Sequence, residues 1–351
     1  MAKFLEALHS LFKNSDIPYM KSIKTALKKV LVIRFSSIGD IVLCSPVFRT
    51  LKLQKNVEVH WLTKKNNAFI NAHNPYIDKI HCYDNNYKTI LKGLQSEKFD
   101  LVIDLHKNLR SFRFRSQLKC PSFDFNKINI QKYILVNFQI DLIGEPRHLV
   151  DRYFKSLERI GIVNDEQGLD YFYGEETKNP ITTYPYIVYG IGGTYNTKKM
   201  PTDEIIRHFG NLPYPLVLLG GKTEEAAAAE IESALGDKVI NMVNQCNLHT
   251  SAKIIEEGQF LISHDTATMH IGAALNQKIL SVWGATAPPL GMTPYLPPQL
   301  LHQTIALDHS SLKCHPCSKL GGDQCPKGHF KCLRDLPSEM VNPLIEEMLK
   351  K

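Results

Sequence analysis

Residues 30–40 read VLVIRFSSIGD, a short β-branched run that ends in small residues and a glycine. The apolar periodicity of Ile41, Val42, Val47, Phe48 and Leu51 follows directly. The order is strand, tight turn, helix. Residues 57–62 and 99–105 (FDLVIDL) are further strand candidates, and strands alternating with helical stretches imply a parallel sheet of βαβ units. Beyond a mixed stretch at 127–145, a helix is predicted over about 150–160, and residues 164–185 are polar and turn-rich. The alternation then restarts. Strands are expected at 186–189, 215–219, 238–242, 260–263 and 279–283, with helices at 203–209, 224–235, 249–257 and 269–275. The reading is two Rossmann-like doubly wound α/β domains, residues 30–175 and 176–351, behind an extension at 1–29. Open α/β sheets bind ligands outside the carboxyl ends of their strands, so the site should lie in the cleft between the halves.

Bulk properties agree with two domains. The chain has 351 residues, and 43% hydrophobic with 22% charged residues leaves no room for a large disordered fraction. The longest apolar stretches, such as 260–263 and 216–220, are strand-sized and do not cross a bilayer. Residues 1–14 lack the continuous apolar core and small-residue cleavage site of a signal peptide, so a cytoplasmic address is expected. Eight cysteines in a chain of this size do not form the disulfide framework of a small secreted domain, and read as thiols or metal ligands. No short-period repeat is present, which excludes a solenoid. The net charge of +7 is uneven: residues 107–132 carry seven basic residues against one acid, Asp124. Such a stretch attracts phosphate-bearing partners or is a solvated basic face.

Five constellations can carry chemistry or binding. Arg34, Ser36, Ser37, Gly39 and Asp40 occupy the first strand-to-helix turn, where Asp40 is placed to take a proton from a bound hydroxyl, or where Ser37 and Asp40 cap the helix. His264, Asp265, Thr266, Ala267, Thr268, Met269 and His270 follow the strand at 260–263, and a helix opening there offers free N–H groups and hydroxyls to a phosphate. Gly192, Gly193, Thr194, Thr197, Lys198 and Lys199 form a turn that lets the backbone approach a ligand, with lysine charge to offset a diphosphate. There is no Gly-x-Gly-x-x-Gly fingerprint, so nicotinamide binding is not supported. Cys314, Cys317, Cys325 and Cys332, with His315 and His329 among them, make either a structural zinc site or a thiol-packed loop. Phe4, Leu5, Leu8, Leu11 and Phe12 fall at helical spacing in a basic extension, which packs on the protein or lies on an anionic membrane.

Taken in order, RFSSIGDIVLCSPV, FDLVIDLHKNLRS at 99–111, HLVDRYF at 148–154, TKKMP at 197–201 and HDTATMHIGAAL resemble glycosyltransferase family 9, the ADP-heptose:lipopolysaccharide heptosyltransferases. The resemblance runs from about Val30 to the C-terminus. It implies a GT-B architecture whose last helix, about 337–349, crosses back to the first domain. It also implies a cytoplasmic, metal-independent, inverting transferase of lipopolysaccharide core biosynthesis that requires no cofactor. Asp40 would be the base, and Lys198 with the turn at Asp265, Thr266, Met269 and His270 would hold the donor, ADP-heptose. The basic residues Lys107, Arg110, Arg113 and Arg115 would receive a phosphorylated lipid-linked glycan, with peripheral contact to the inner membrane surface. Ala267 departs from the family's glycine, which matters if that position needs positive φ or close backbone approach. Two other readings use the same clefts. One is a non-catalytic nucleotide-sugar or nucleic-acid binder, the other an epimerase or hydrolase of the nucleotide sugar; nucleic acid is the less expected partner.

Overall fold

A computed structural model describes residues 27–334 and 336–350; the amphipathic positions between Phe4 and Phe12 lie outside this range. The first sheet contains β1 (Lys29–Ile33), β2 (Glu58–Lys64), β3 (Lys79–Tyr83), β4 (Leu101–Asp104) and β5 (Ser122–Asp124) in the order β3-β2-β1-β4-β5, all parallel. The second contains β6 (Ile187–Gly190), β7 (Leu216–Leu219), β8 (Val239–Asn241), β9 (Leu261–His264), β10 (Ile279–Trp283) and β11 (Thr304–Asp308) in the order β11-β10-β9-β6-β7-β8, again all parallel. These are the two doubly wound layers of a GT-B fold.

Strand β1 pairs residue for residue with β2 on one side and β4 on the other. Its alternate side chains therefore enter two cores, Val30 and Val32 in one and Leu31 and Ile33 in the other. The first of these cores continues into the second half of the chain, through Val188, Leu261 and Ile271. Strands β3, β5 and β11 were not foreseen, and all three are edge strands of mostly half-buried residues. An edge strand carries no continuous apolar run to read.

The helix expected after β1 is two helices, α1 (Ile38–Val42) and α2 (Ser45–Lys55). Pro46 lies in the first turn of α2 and has no N–H to offer the carbonyl four residues back, so the ladder breaks there. The stretch at 127–145 contains an unforeseen helix, α5 (Asn129–Phe138), which follows α3 (Tyr87–Ser96) and α4 (Leu109–Gln117). Next come α6 (Leu149–Leu157), α7 (Thr202–Phe209), α8 (Glu225–Leu235), α9 (Leu248–Glu257), α10 (Ala267–Ala274) and α11 (Ser338–Lys350).

Helix α11 does not cross back. Its Val341, Ile345 and Met348 are buried with Leu280, Val282 and Leu307 of the second sheet. Residues 288–295 return to the first half, and Pro316 O accepts from Gln139 Nε2 at 3.0 Å. Gly291 O accepts from Leu149 N at 3.0 Å, Thr293 O bonds His148 Nε2 at 3.0 Å, and the Tyr295 ring stacks on His148 with centroids 4.5 Å apart.

Candidate active site

In each sheet the strand order reverses beside its first strand, between β1 and β4 and between β6 and β9. The loops leaving these four strands line one cleft of about 1020 Å³: Arg34 with Ser36 to Asp40, His106 with Asn108, Gly192 to Tyr195 with Lys198, and Asp265 to Thr268. A ligand is expected at such switch points, because diverging loops leave a gap there.

The first wall is built on Asp40, third residue of α1. Its Oδ2 accepts from Ser37 N at 3.1 Å, from Ser37 Oγ at 2.8 Å and from Arg34 Nη2 at 2.6 Å. The carboxylate closes the first turn of α1 while lining the cleft, so capping does not take it out of reach of a ligand. Burial works to raise the Asp40 carboxyl, but the Arg34 charge and the Ser37 hydrogen bonds outweigh it and hold the group below its ordinary value. Arg34 is itself fixed by Ser36 O at 2.8 Å and by Leu105 O. Asp40 is thus an ionised carboxylate with a set orientation.

The opposite wall starts at α10. Thr266 is its N-cap, and Thr266 Oγ1 is buried with no hydrogen-bond partner among the described residues. Lys198 Nζ donates to Asp265 Oδ2 at 2.7 Å and to Asp265 O at 2.9 Å, while Thr286 Oγ1 holds the same carboxylate oxygen at 2.9 Å. An ammonium, an unpaired hydroxyl and a helix N-terminus converge, a combination suited to an anion.

The two walls touch at Gly39. A Cβ built there would lie 2.8 Å from His270 Cδ2 and 3.3 Å from Ala267 Cα, so any side chain would push α1 off α10. Ala267 itself is the first residue of α10 and has ordinary helical backbone. Neither a positive φ nor strain attends the alanine, and the close approach is met by the glycine opposite.

Of the residues expected at the site, Ser36, Ser37, Gly39, Asp40, Gly192, Gly193, Lys198, Asp265, Thr266, Ala267, Thr268 and His270 line the cleft. Thr197 and Met269 do not. Thr197 is buried and exchanges hydrogen bonds with Gly322 at 3.0 and 2.8 Å, and Met269 is fully buried in the core. Neighbours on a helical turn point in different directions, so a linear motif does not keep all its side chains on one surface.

Lys107, Arg110, Arg113 and Arg115 also lie outside the cleft lining. Lys107 and Arg115 are consumed by Asp124, at 2.9 and 2.6 Å, and Arg113 sits over the Tyr87 ring at 3.8 Å. The cations inside the cleft are Arg34, Lys127, Lys132, Arg152, Lys198 and Lys319. Arg152 is 4% exposed; its Nη1 donates to Asn126 O at 3.0 Å, while Nε and Nη2 are buried without partners among the described residues. Burial lowers Arg152 to about 10, and burial together with the Arg152 and Lys319 charges lowers Lys132 to about 7. A buried guanidinium with two unpartnered nitrogens is costly, and such a group on a cleft wall is suited to an anion. His106 was also missed: burial first, then the Arg34 charge, lower it to about 4, so its ring is neutral at pH 7.

Two clusters bear on metal binding. The Cys314 to Cys332 loop brings Cys314 Sγ to 3.7 Å from His329 Nε2, yet no three of its thiol and imidazole atoms lie within 4.8 Å of one another among the described residues. Tetrahedral zinc needs four ligands with sulfurs about 3.8 Å apart; Cys314, Cys317 and Cys325 all lie near enough to raise the Cys332 thiol, and the loop stays open to either reading, metal ligands or packed thiols. The loop does support the cleft, because Cys317 N and Ser318 N donate to Ala285 O, and Gly322 N donates to Thr197 Oγ1 beside Lys198. His60, His81 and Glu97 do lie within 4.8 Å of one another, but Glu97 is already paired with Lys29 and Lys79, whose charges oppose a cation.

The model of glycosyltransferase family 9 (heptosyltransferase) matches residues 88–319, about two-thirds of the chain. Lipopolysaccharide heptosyltransferase 1 of Campylobacter coli is 24% identical over 299 residues, covering 74% of this chain and 84% of the relative. A family 9 glycosyltransferase from Veillonella parvula superposes with a TM-score of 0.72 at 20% identity, covering 94% of this chain and all of that one. The E. coli heptosyltransferase WaaC with ADP-2-deoxy-2-fluoro heptose gives 0.65 at 19% identity, over 91% of this chain and 99% of WaaC. Family match, paired parallel sheets and a cleft at both switch points agree, and the chain belongs to glycosyltransferase family 9, the heptosyltransferases.

Proposed function

We propose that the protein transfers heptose from ADP-heptose to the inner core of lipopolysaccharide or a related lipid-linked glycan, with inversion at the anomeric carbon. The observation that carries this reading is the contact of Gly39 with Ala267 and His270, which sets an ionised carboxylate beside an anion-binding helix N-terminus in one cleft. The ADP-2-deoxy-2-fluoro heptose of the E. coli relative and the names of the curated relatives support the sugar and the acceptor class. The second half, residues 176–351, would take the donor, and the first half, 30–175, the acceptor.

In the reaction the acceptor oxygen bonds to the anomeric carbon as its proton passes to Asp40. The carbon–oxygen bond to ADP breaks on the opposite face, and the electron pair leaves with the diphosphate. Lys198, the Thr266 hydroxyl and the α10 N–H groups offset that charge. Closure of the two halves around the bound substrates would keep water, the competing acceptor, out of the reaction. The decisive assay is heptose transfer from ADP-heptose to a purified inner-core acceptor. Release of free heptose without transfer would instead assign a hydrolase.

Two further outcomes follow. Ala267→Gly should leave the ADP dissociation constant within about threefold by calorimetry, because the alanine is unstrained. Arg152→Met should raise the acceptor KM about 10- to 100-fold through loss of charge-assisted bonds. The same variant should melt no lower than wild type, because the uncompensated buried charge is gone. A lower melting temperature with an unchanged acceptor KM would make Arg152 structural.

A further inference from the structure

We propose that the cysteine-rich loop positions the lysine that meets the departing diphosphate: Gly322 clasps Thr197, and Thr197 fixes the turn from which Lys198 reaches Asp265. This deepens the proposed function, since it rests on Lys198 acting on the donor. Asn196–Lys198 is a single turn of 3-10 helix, too short to hold its own shape. A lysine on such a turn, at the end of a flexible stem, has to be oriented from outside. Thr197 supplies that orientation and is 3% exposed. Its N donates to Gly322 O at 3.0 Å, its Oγ1 accepts from Gly322 N at 2.8 Å, and its O accepts from Ala285 N at 2.9 Å. Thr197 does not line the cleft, so it acts through its neighbour.

Ala285 joins the two sides of the clasp. Its O accepts from Cys317 N and Ser318 N, each at 3.1 Å, so loop and turn hang on one residue at the exit of β10. Gly321 then draws the loop over the turn: its φ is +99°, and a Cβ built there would lie 2.8 Å from Tyr195 Cβ, which leaves no room for a side chain. Ser318 Oγ closes the bend by accepting from Gly321 N at 2.9 Å. The residues that follow the Thr197–Ala285 bond along each segment, Lys198 and Thr286, both donate to Asp265 Oδ2, at 2.7 and 2.9 Å. That backbone bond therefore sets the spacing of two groups that share one carboxylate oxygen. Cys317 and Cys325 flank Gly322 in the chain, so the clasp gives the loop a part in transfer whether its thiols hold a metal or pack together.

The test is a double-mutant cycle on kcat for transfer by the full chain. Thr197→Val removes the hydroxyl and leaves Gly322 N–H unpaired; it should lower kcat about tenfold and change the donor KM by no more than about threefold. Thr197→Ser keeps the hydroxyl and should return kcat to within about threefold of wild type. In a Lys198→Ala background the valine should cost less than about twofold, because the group it positions is gone. Equal fractional losses in both backgrounds overturn the proposal, as do wild-type turnover in Thr197→Val or a serine variant as slow as the valine one. Thr197→Ala, which also lacks the hydroxyl, takes the place of the valine in the cycle if that variant does not fold. Amide hydrogen exchange needs no turnover: in the variant without the hydroxyl, residues 316–324 should exchange faster than in wild type, and unchanged exchange there overturns the clasp. Absence of transfer by wild type would count against the proposed function, and the exchange measurement would still decide whether Thr197 holds the loop.

Discussion

Asp40→Asn is expected to fold and to bind ADP-heptose as the wild type does, but to transfer heptose about 10³-fold more slowly, the usual scale for losing a positioned general base. Asparagine keeps an oxygen to accept from Ser37 N, so the closure of α1 survives. Arg34 loses its counter-ion yet keeps Ser36 O and Leu105 O, so the variant is destabilised without unfolding. Circular dichroism and donor titration separate this from a folding defect. Turnover near wild type would remove Asp40 from the mechanism and turn attention to His106, the neutral imidazole in the same cleft.

The pH profile gives the sign. Arg34 and Ser37 hold the Asp40 carboxyl below its ordinary value against burial, so kcat/KM should keep its acid limb below the ordinary carboxylate range. In Arg34→Met the burial acts unopposed by that charge, and the limb should move to higher pH. A limb that stays in place would mean that another group sets it.

Much of this architecture was legible because its central strands are buried on both faces. VLVI at β1 and LVLL at β7 announce themselves as apolar runs, whereas KIHCY at β3 and SFD at β5 pack one side only and read as loop. Asp40 and Lys198 were legible for a related reason: they lie in loops that leave strands at the switch points, and these loops border the crevice. Arg152 was not. It lies in α6 in a sequence that reads as an ordinary amphipathic helix, and only the position of α6 against Asn126 turns it into the cleft. The basic run misled in the same way, since sequence counts charges but does not show that Asp124 neutralises Lys107 and Arg115 while Lys132 is buried.

Lys198→Ala is expected to lower kcat about 10²- to 10³-fold while changing the donor KM only a few-fold. The split follows from where charge develops. In bound ADP-heptose the diphosphate already carries charge, which the α10 N-terminus and the Thr266 hydroxyl help to hold; breaking the anomeric bond adds charge on the bridging oxygen. Lys198 is held by Asp265 Oδ2 and O, and Asp265 by Thr286, so the ammonium is oriented before the donor arrives. Such preorganisation acts on the transition state more than on the ground state. Asp265→Asn, which keeps an acceptor for Lys198 but removes its counter-charge, should cost less than the lysine truncation. Single-turnover kinetics with saturating donor would measure both. A Lys198→Ala enzyme whose loss lay wholly in donor KM would assign the lysine to ground-state binding and leave α10 to stabilise the departing diphosphate.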